Sequence, residues 1–224
     1  MSAEPSAGSS RRWFVIVVAL ILIAGLAFAV GRFSTFGSQA AASAPGTESP
    51  EAGFSRDMQV HHAQAIEMAM EIYGKTDDEE LRVLSYDIAT GQAGQRGEMY
   101  DWLVQWGLPQ SGGPMMQWMD AGDSEHAHGG SSAEPMTDEQ AQAAMGMASA
   151  DEIAALKAAT GVEADCQFLT LMIRHHEGAI PMAEALLELG TDPRALEVAT
   201  AIRNGQTAEI DAMQSIQTRL GCTS

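Results

Sequence analysis

The residues of this chain best suited to chemistry are two pairs of adjacent histidines, His61-His62 and His175-His176. Each pair lies in a run of one pattern, FSRDMQVHHAQAIEMA over 54–69 and FLTLMIRHHEGAIPMA over 168–183, displaced by 114 residues. In both runs a methionine stands three residues before the first histidine, Met58 and Met172, and another six residues after the second, Met68 and Met182. Imidazole nitrogens and thioether sulfurs are metal ligands, and a mixed set favours copper, with Cu(I) preferred over Cu(II) as the sulfur share rises. His61, His62, His175 and His176 are therefore the primary ligand candidates, with Met58, Met172, Met68 and Met182 in support.

Such a site needs elements that bring the two runs together. Phe54, Met58, His61, Ala65, Met68 and Ile72 follow steps of three and four, the period of a buried helical stripe. With Phe54 at zero, His61 falls at about −20°, Met58 at about 40° and His62 at about 80°, so the imidazoles occupy opposite shoulders of the stripe and both can face a core. The repeat register continues through Ile88/Ile202, Gly91/Gly205, Gln92/Gln206 and Met99/Met213. Each unit, 51–106 and 162–220, predicts a helical hairpin, with GKTDD at 74–78 and LGTDP at 189–193 as the turns. One hairpin cannot cover its own apolar face. Two related hairpins can, which predicts an all-α, four-helix bundle with approximate internal twofold symmetry, the four imidazoles and four thioethers gathered in one neighbourhood.

A second reading stays open at this point. Methionines on a helix stripe also serve as core filler, and a buried neutral histidine can simply be hydrogen-bonded, which would make the chain a structural or interaction module with a histidine core. Iron chemistry is disfavoured. The motif helices contain no Glu-x-x-His, and Glu67 and Glu177 point away from the stripe, at about 220° and 180°. No Ser/His/Asp arrangement or phosphate-binding glycine loop is present, so no enzymatic activity is expected.

Thirty acidic residues against twelve basic ones give a net charge of −18, which repels phosphate backbones and argues against nucleic-acid binding. Residues 13–30, WFVIVVALILIAGLAFAV, carry no charge and as a helix span about 27 Å, enough to cross a bilayer. Arg11 and Arg12 favour a cytoplasmic segment over 1–12, so the expectation is a single-pass signal-anchor with the remainder outside the cytoplasm. Cleavage near Gln39–Ala41, giving a secreted protein, and twin-arginine export are the alternatives. Residues 31–50 read as a linker.

Between the units, 107–161 begins as a turn-rich stretch expected to be irregular or mobile. It holds Met115, Met116, Met119, His126 and His128, secondary metal candidates suited to transient copper capture, alongside Met136, Met145 and Met147. An oxidant-scavenging role is the competing reading of the same thioethers. Thr137 to Gln140 and Ser149 to Glu152 fit capping boxes and predict short helices over 138–159. Cys166 and Cys222 fall at neighbouring ends of the second hairpin. A disulfide is the first expectation, and copper ligation by a free thiol the alternative.

The doubled F-x-x-x-M-x-x-HH-x-x-x-I-x-M-A, with a small helix before its second copy, resembles the bacterial domain-of-unknown-function family 305. The resemblance covers about 51–220 and implies a ferritin-like helical fold. Some extracytoplasmic members are tied to copper binding and copper tolerance, so the resemblance also implies a copper-related role; a copper-handling protein partner is the expectation that goes with passing copper on. Asp165 is the acidic residue that opens the family's motif; the first copy has Glu51 there.

Overall fold

The computed structural model describes residues 44–120 and 136–222. The expected cytoplasmic segment 1–12, the membrane helix 13–30 and the linker up to residue 43 lie outside the described residues, as do His126 and His128. Among the described residues no helix is long and apolar enough to cross a membrane.

The chain is all-α. Six helices are described: α1 (Pro50–Tyr73), α2 (Glu79–Gln105), α3 (Asp138–Ala144), α4 (Ala150–Ala158), α5 (Gly161–Leu189) and α6 (Pro193–Leu220). The four long ones form two hairpins, α1 with α2 and α5 with α6, joined mainly along α1 and α5. Their starts are encoded locally. Asp78 and Asp192, equivalent in the repeat, cap α2 and α6: Asp78 accepts the Leu81 N–H, and Asp192 those of Arg194 and Ala195. Each such cap contributes about 1 kcal/mol. Pro50 and Pro193 occupy first-turn positions, where a missing N–H costs nothing. Both capping boxes form, Thr137 with Gln140 and Ser149 with Glu152. Helix α5 continues through Pro181.

The hairpins brace one another through the acidic residues that open α1 and α5. The buried Glu51 carboxylate accepts N–H bonds from Thr191 and Asp192 in the turn of the second hairpin. Burial alone would raise its pKa, but these donors outweigh it and hold Glu51 below the ordinary carboxylate value. Asp165 makes the reciprocal contact, with the Thr76 side chain in the turn of the first hairpin.

Two apolar clusters fill the interior. One joins Ala65, Met68 and Ile72 of α1 to Phe168 and Met172 of α5, Ile88 of α2 and Met213 of α6. The other joins Phe54 and Met58 to Ala179 and Met182, with Met99 and Ile202. Cys166 and Cys222 are bonded, with Cα atoms 5.4 Å apart, so neither sulfur is a free thiol. The bond ties the start of α5 to the end of α6, a constraint of about 4 kcal/mol for a loop of this length.

The stretch after α2 is packed rather than loose. The buried Asp57 carboxylate accepts the Met116 N–H at 2.8 Å and the Trp118 indole N–H at 2.9 Å. The Arg56 guanidinium donates to the carbonyls of Pro109 and Thr47. Trp118 meets Phe54 edge to face at 5.8 Å, seated where Gly53 has no side chain. The turn residues correctly mark a break in helix, but composition does not reveal that Asp57 and Arg56 on α1 supply the missing partners.

The connection from α3 to α4 crosses the α1–α5 seam backbone-first. Gly146, at φ +72°, and the Met145 carbonyl lie directly on Gly178 of α5. Arg174 donates to the Gly146 and Met147 carbonyls, and Gln64 grips Ala148 from both sides of its amide. A Cβ on Gly178 would stand 1.9 Å from the Met145 carbonyl oxygen. Gly178→Ala is therefore expected to cost about 3 kcal/mol in urea denaturation. Gly97→Ala, where a Cβ meets nothing within 4 Å, should be neutral or stabilising. Equal midpoints for the two variants would contradict this account of the crossing.

Candidate metal centre

Helices α1 and α5 bring all four histidines into the protein interior, each fully buried. His61 and His175, from opposite hairpins, stack with ring centroids 3.6 Å apart and planes inclined by 33°. His62 and His176 stand further out, 6.4 Å and 6.2 Å from their inner neighbours. Each outer ring is held by the second helix of its own hairpin. His62 Nε2–H donates to Gln95 Oε1 at 2.8 Å, and His176 Nε2–H to Glu209 Oε2 at 2.7 Å. Gln95 and Glu209 are equivalent in the repeat. His61 Nε2–H donates to the Met145 carbonyl of the crossing segment at 3.0 Å.

These bonds fix the tautomers. A carbonyl, an amide oxygen and a carboxylate only accept, so the proton of His61, His62 and His176 sits on Nε2. Their Nδ1 atoms then carry free lone pairs, and all three are buried with no partner among the described residues. His175 has no partner at either nitrogen among the described residues. An unpartnered buried polar atom costs roughly 1–3 kcal/mol, so such a concentration is not incidental. A metal ion is a natural acceptor of these lone pairs, and a second nitrogen bonded to carboxylate or carbonyl is the usual support for a ligating imidazole. The donor set fits a soft or borderline cation. Among the described residues, however, no three His, Cys, Asp or Glu side chains converge as a ready-made cage.

Burial is also the main electrostatic influence. It pushes His61 down to about 4 against the opposing pull of the Met145 carbonyl. It pushes His62 down to about 3, helped by neighbouring His61. It holds His175 well below the ordinary histidine value, again with His61 adding to the effect. All three rings are uncharged at neutral pH and available to a cation without first losing a proton.

The histidines belong to a wider layer. Along α1 and α5 the two apolar clusters are interrupted at His61-His62 and His175-His176; along α2 and α6 the interruption falls at Gln92 and Gln206. Among the described residues, nine of the eleven buried side-chain nitrogen and oxygen atoms without a partner belong to these six residues.

A family model described as "Domain of unknown function (DUF305)" matches residues 51–217. The chain belongs to the DUF305 family. Among solved structures it is similar to a putative secreted DUF305 protein from Streptomyces coelicolor, at 35% identity over 80% of this chain and 96% of that one, with a TM-score of 0.68. A DUF305 fragment from Deinococcus radiodurans is 31% identical over 76% of this chain and 96% of that one, at TM-score 0.60. CopM in its Cu(I)-bound form shares the fold at 24% identity over 76% of this chain and 96% of that chain, at TM-score 0.54. No curated protein matches.

Within this DUF305 domain the four motif methionines divide. Met58 and Met182 lie in one apolar cluster and Met172 and Met68 in the other, so the thioethers flank the histidine layer from both sides instead of joining it in one group. The antiparallel run of α1 and α5 is the reason: the methionine before one histidine pair meets the methionine after the other. Met115, Met116 and Met119 pack on the cluster containing Met58 and Met182. Met115 and Met136 also line a surface groove of about 650 Å³ with Arg56, Asp57 and Asp138. Four residues of the site carry no role in the motif reading. Gln92 and Gln206 are visible as a repeat match, whereas Gln95 and Glu209 differ in type and share only their register.

The depressed histidines set a pH dependence. Between pH 6.5 and about 4 the unfolded chain binds protons at His61, His62 and His175 that the fold does not. Stability is therefore fully present above pH 6.5 and falls as the pH drops, by up to about 1.4 kcal/mol per pH unit for each ring kept neutral. Denaturation midpoints of the metal-free protein should fall steeply from pH 7 to pH 5. A flat profile across that interval would remove the buried-neutral assignment.

Proposed function

We propose that this protein is a membrane-anchored, extracytoplasmic copper-binding protein that buffers copper or passes it on. Its site is the histidine layer of a ferritin-like, four-helix bundle spanning about 51–220. The observation that carries the reading is the set of buried Nδ1 lone pairs whose rings are already oriented through Nε2. His61 and His175 supply the central nitrogens, and His62 and His176 the outer ones. Met58, Met172, Met68 and Met182, buried above and below, supply polarizable sulfur suited to Cu(I). The distant structural relative CopM is known in Cu(I)- and Cu(II)-bound forms, which supports copper as the cargo. A disulfide and a relative described as secreted support the location outside the cytoplasm, with residues 13–30 as the anchor. A copper-handling protein is the expected exchange partner. The activity is non-catalytic.

A second reading has its own support. The outer histidines are hydrogen-bonded without any metal, and no three-residue cage of hard and nitrogen ligands is preformed among the described residues. On that reading the layer fixes the pairing of the two hairpins in a structural or interaction module.

Copper titration against a competing chelator separates the two. The wild type is expected to hold copper, and His61→Leu with His175→Leu, which keeps the volume filled, should weaken it by roughly 100-fold. Unchanged affinity in a variant folded by circular dichroism would leave only the structural reading. Loss of binding confined to a variant lacking Met115, Met116 and Met119 would move the site to the groove beside α1.

A further inference from the structure

Gln92 and Gln206 are the part of the layer that neither copper nor packing explains. They are equivalent in the repeat, 4% and 3% exposed, and neither the oxygen nor the nitrogen of either carboxamide has a partner among the described residues. Both lie where α2 and α6 pass from one apolar cluster to the other, at the level of the four histidines. They are not the residues that orient the outer rings. Gln95 and Glu209 do that, one helical turn further along and closer to the surface.

The hydrogen-bonding inventory narrows what this region takes. The histidines His61, His62 and His176 present lone pairs only, which a bare cation satisfies. The carboxamides present four N–H hydrogens as well as two oxygens, and a cation satisfies none of those hydrogens. Direct pairing between amide and imidazole would serve both sides, and the structure does not contain it. A species that donates and accepts at once, and is small enough for the interior of a helical domain, is water.

We infer that Gln92 and Gln206 form a buried water-binding site inside the histidine layer, and that this water is the oxygen ligand through which the layer accepts an aquated Cu(II) ion as well as a bare monovalent one. One amide oxygen accepts from the water and one amide N–H donates to it, which leaves the water its second hydrogen for an imidazole lone pair in the metal-free protein and its second lone pair for Cu(II). Oxygen ligands suit the harder divalent ion, and nitrogen and thioether ligands alone favour the softer monovalent one. The water site stands on the carboxamides themselves; the selectivity rests on the copper reading given above.

The two parts are tested separately. A crystal structure of the metal-free full-length chain, grown with a chelator, is expected to show ordered water within hydrogen-bond distance of both carboxamides. Carboxamides bonded to protein groups, or a dry layer, would overturn the site without reference to any metal. In detergent, the full-length chain is then titrated with Cu(II) and with Ag(I), the latter standing for the monovalent ion, beside Gln92→Leu with Gln206→Leu. Removing the water should weaken Cu(II) by about tenfold or more while leaving Ag(I) within about threefold. In D2O, the exchangeable deuteron modulation in the electron spin echo spectrum of bound Cu(II) should fall in the variant to the weaker contribution of the imidazole Nε2 deuterons. An unchanged Cu(II)-to-Ag(I) ratio would overturn the selectivity. Ordered water in a wild type that binds neither ion at the layer would overturn the copper reading and leave the water site in place. Should the double variant not fold, Gln92→Leu alone gives the same ratio test, and the metal-free structure needs no variant.

Discussion

Everything in this domain answers to one constraint: six large polar side chains lie in a single layer across an otherwise apolar interior. Removing such groups from water is costly unless each finds a partner. Three imidazole N–H groups find one, in Gln95, Glu209 and the Met145 carbonyl. What remains is strongly biased toward lone pairs on one side of the layer and toward carboxamides on the other. The apolar clusters above and below give the layer rigid walls and keep solvent from screening it.

The periphery is arranged to hold that layer. Gly178 lets the 145–148 segment lie backbone against helix, which brings the Met145 carbonyl within reach of His61. Gln64, its equivalent in the first unit, instead clamps Ala148 with its side chain. The same register position thus serves the same segment by opposite means, an absent side chain in one copy and a long polar one in the other. Arg174 adds a lock from α5, pairing with Glu152 while it holds the Gly146 and Met147 carbonyls.

Much of this was legible from residue types and spacing. The helical stripe through Phe54, Met58 and His61, together with its copy, placed the histidines inside and paired the hairpins. The Asp78 and Asp192 caps and the two capping boxes follow from local chemistry alone. The division of the methionines was not legible without the antiparallel crossing of α1 and α5. That Met145 would be the acceptor for His61 was hidden as well, because the contact spans 84 residues and uses a backbone atom, which leaves no trace in side-chain type. Gln92 and Gln206 were visible as a coincidence of register, but glutamine at a helix surface looks the same in sequence as glutamine in a core. The packing of Met116 and Trp118 onto Asp57 was masked by the turn-rich composition around them.

The crossed braces at the two turns bear on how such a molecule could arise. Glu51 of the first hairpin seals the turn of the second, and Asp165 of the second contacts the turn of the first. A single hairpin therefore carries both halves of the contact, the carboxylate and the turn that receives it. Two identical copies of one hairpin would meet through an isologous, self-complementary interface, with the central histidines stacked on the dyad. Joining them into one chain removes the concentration dependence of that assembly and releases each copy from having to match the other. The 145–148 crossing, which occupies one side of the dyad only and relies on a glycine in one copy and a glutamine in the other, is a feature that a symmetric pair of identical hairpins could not have acquired.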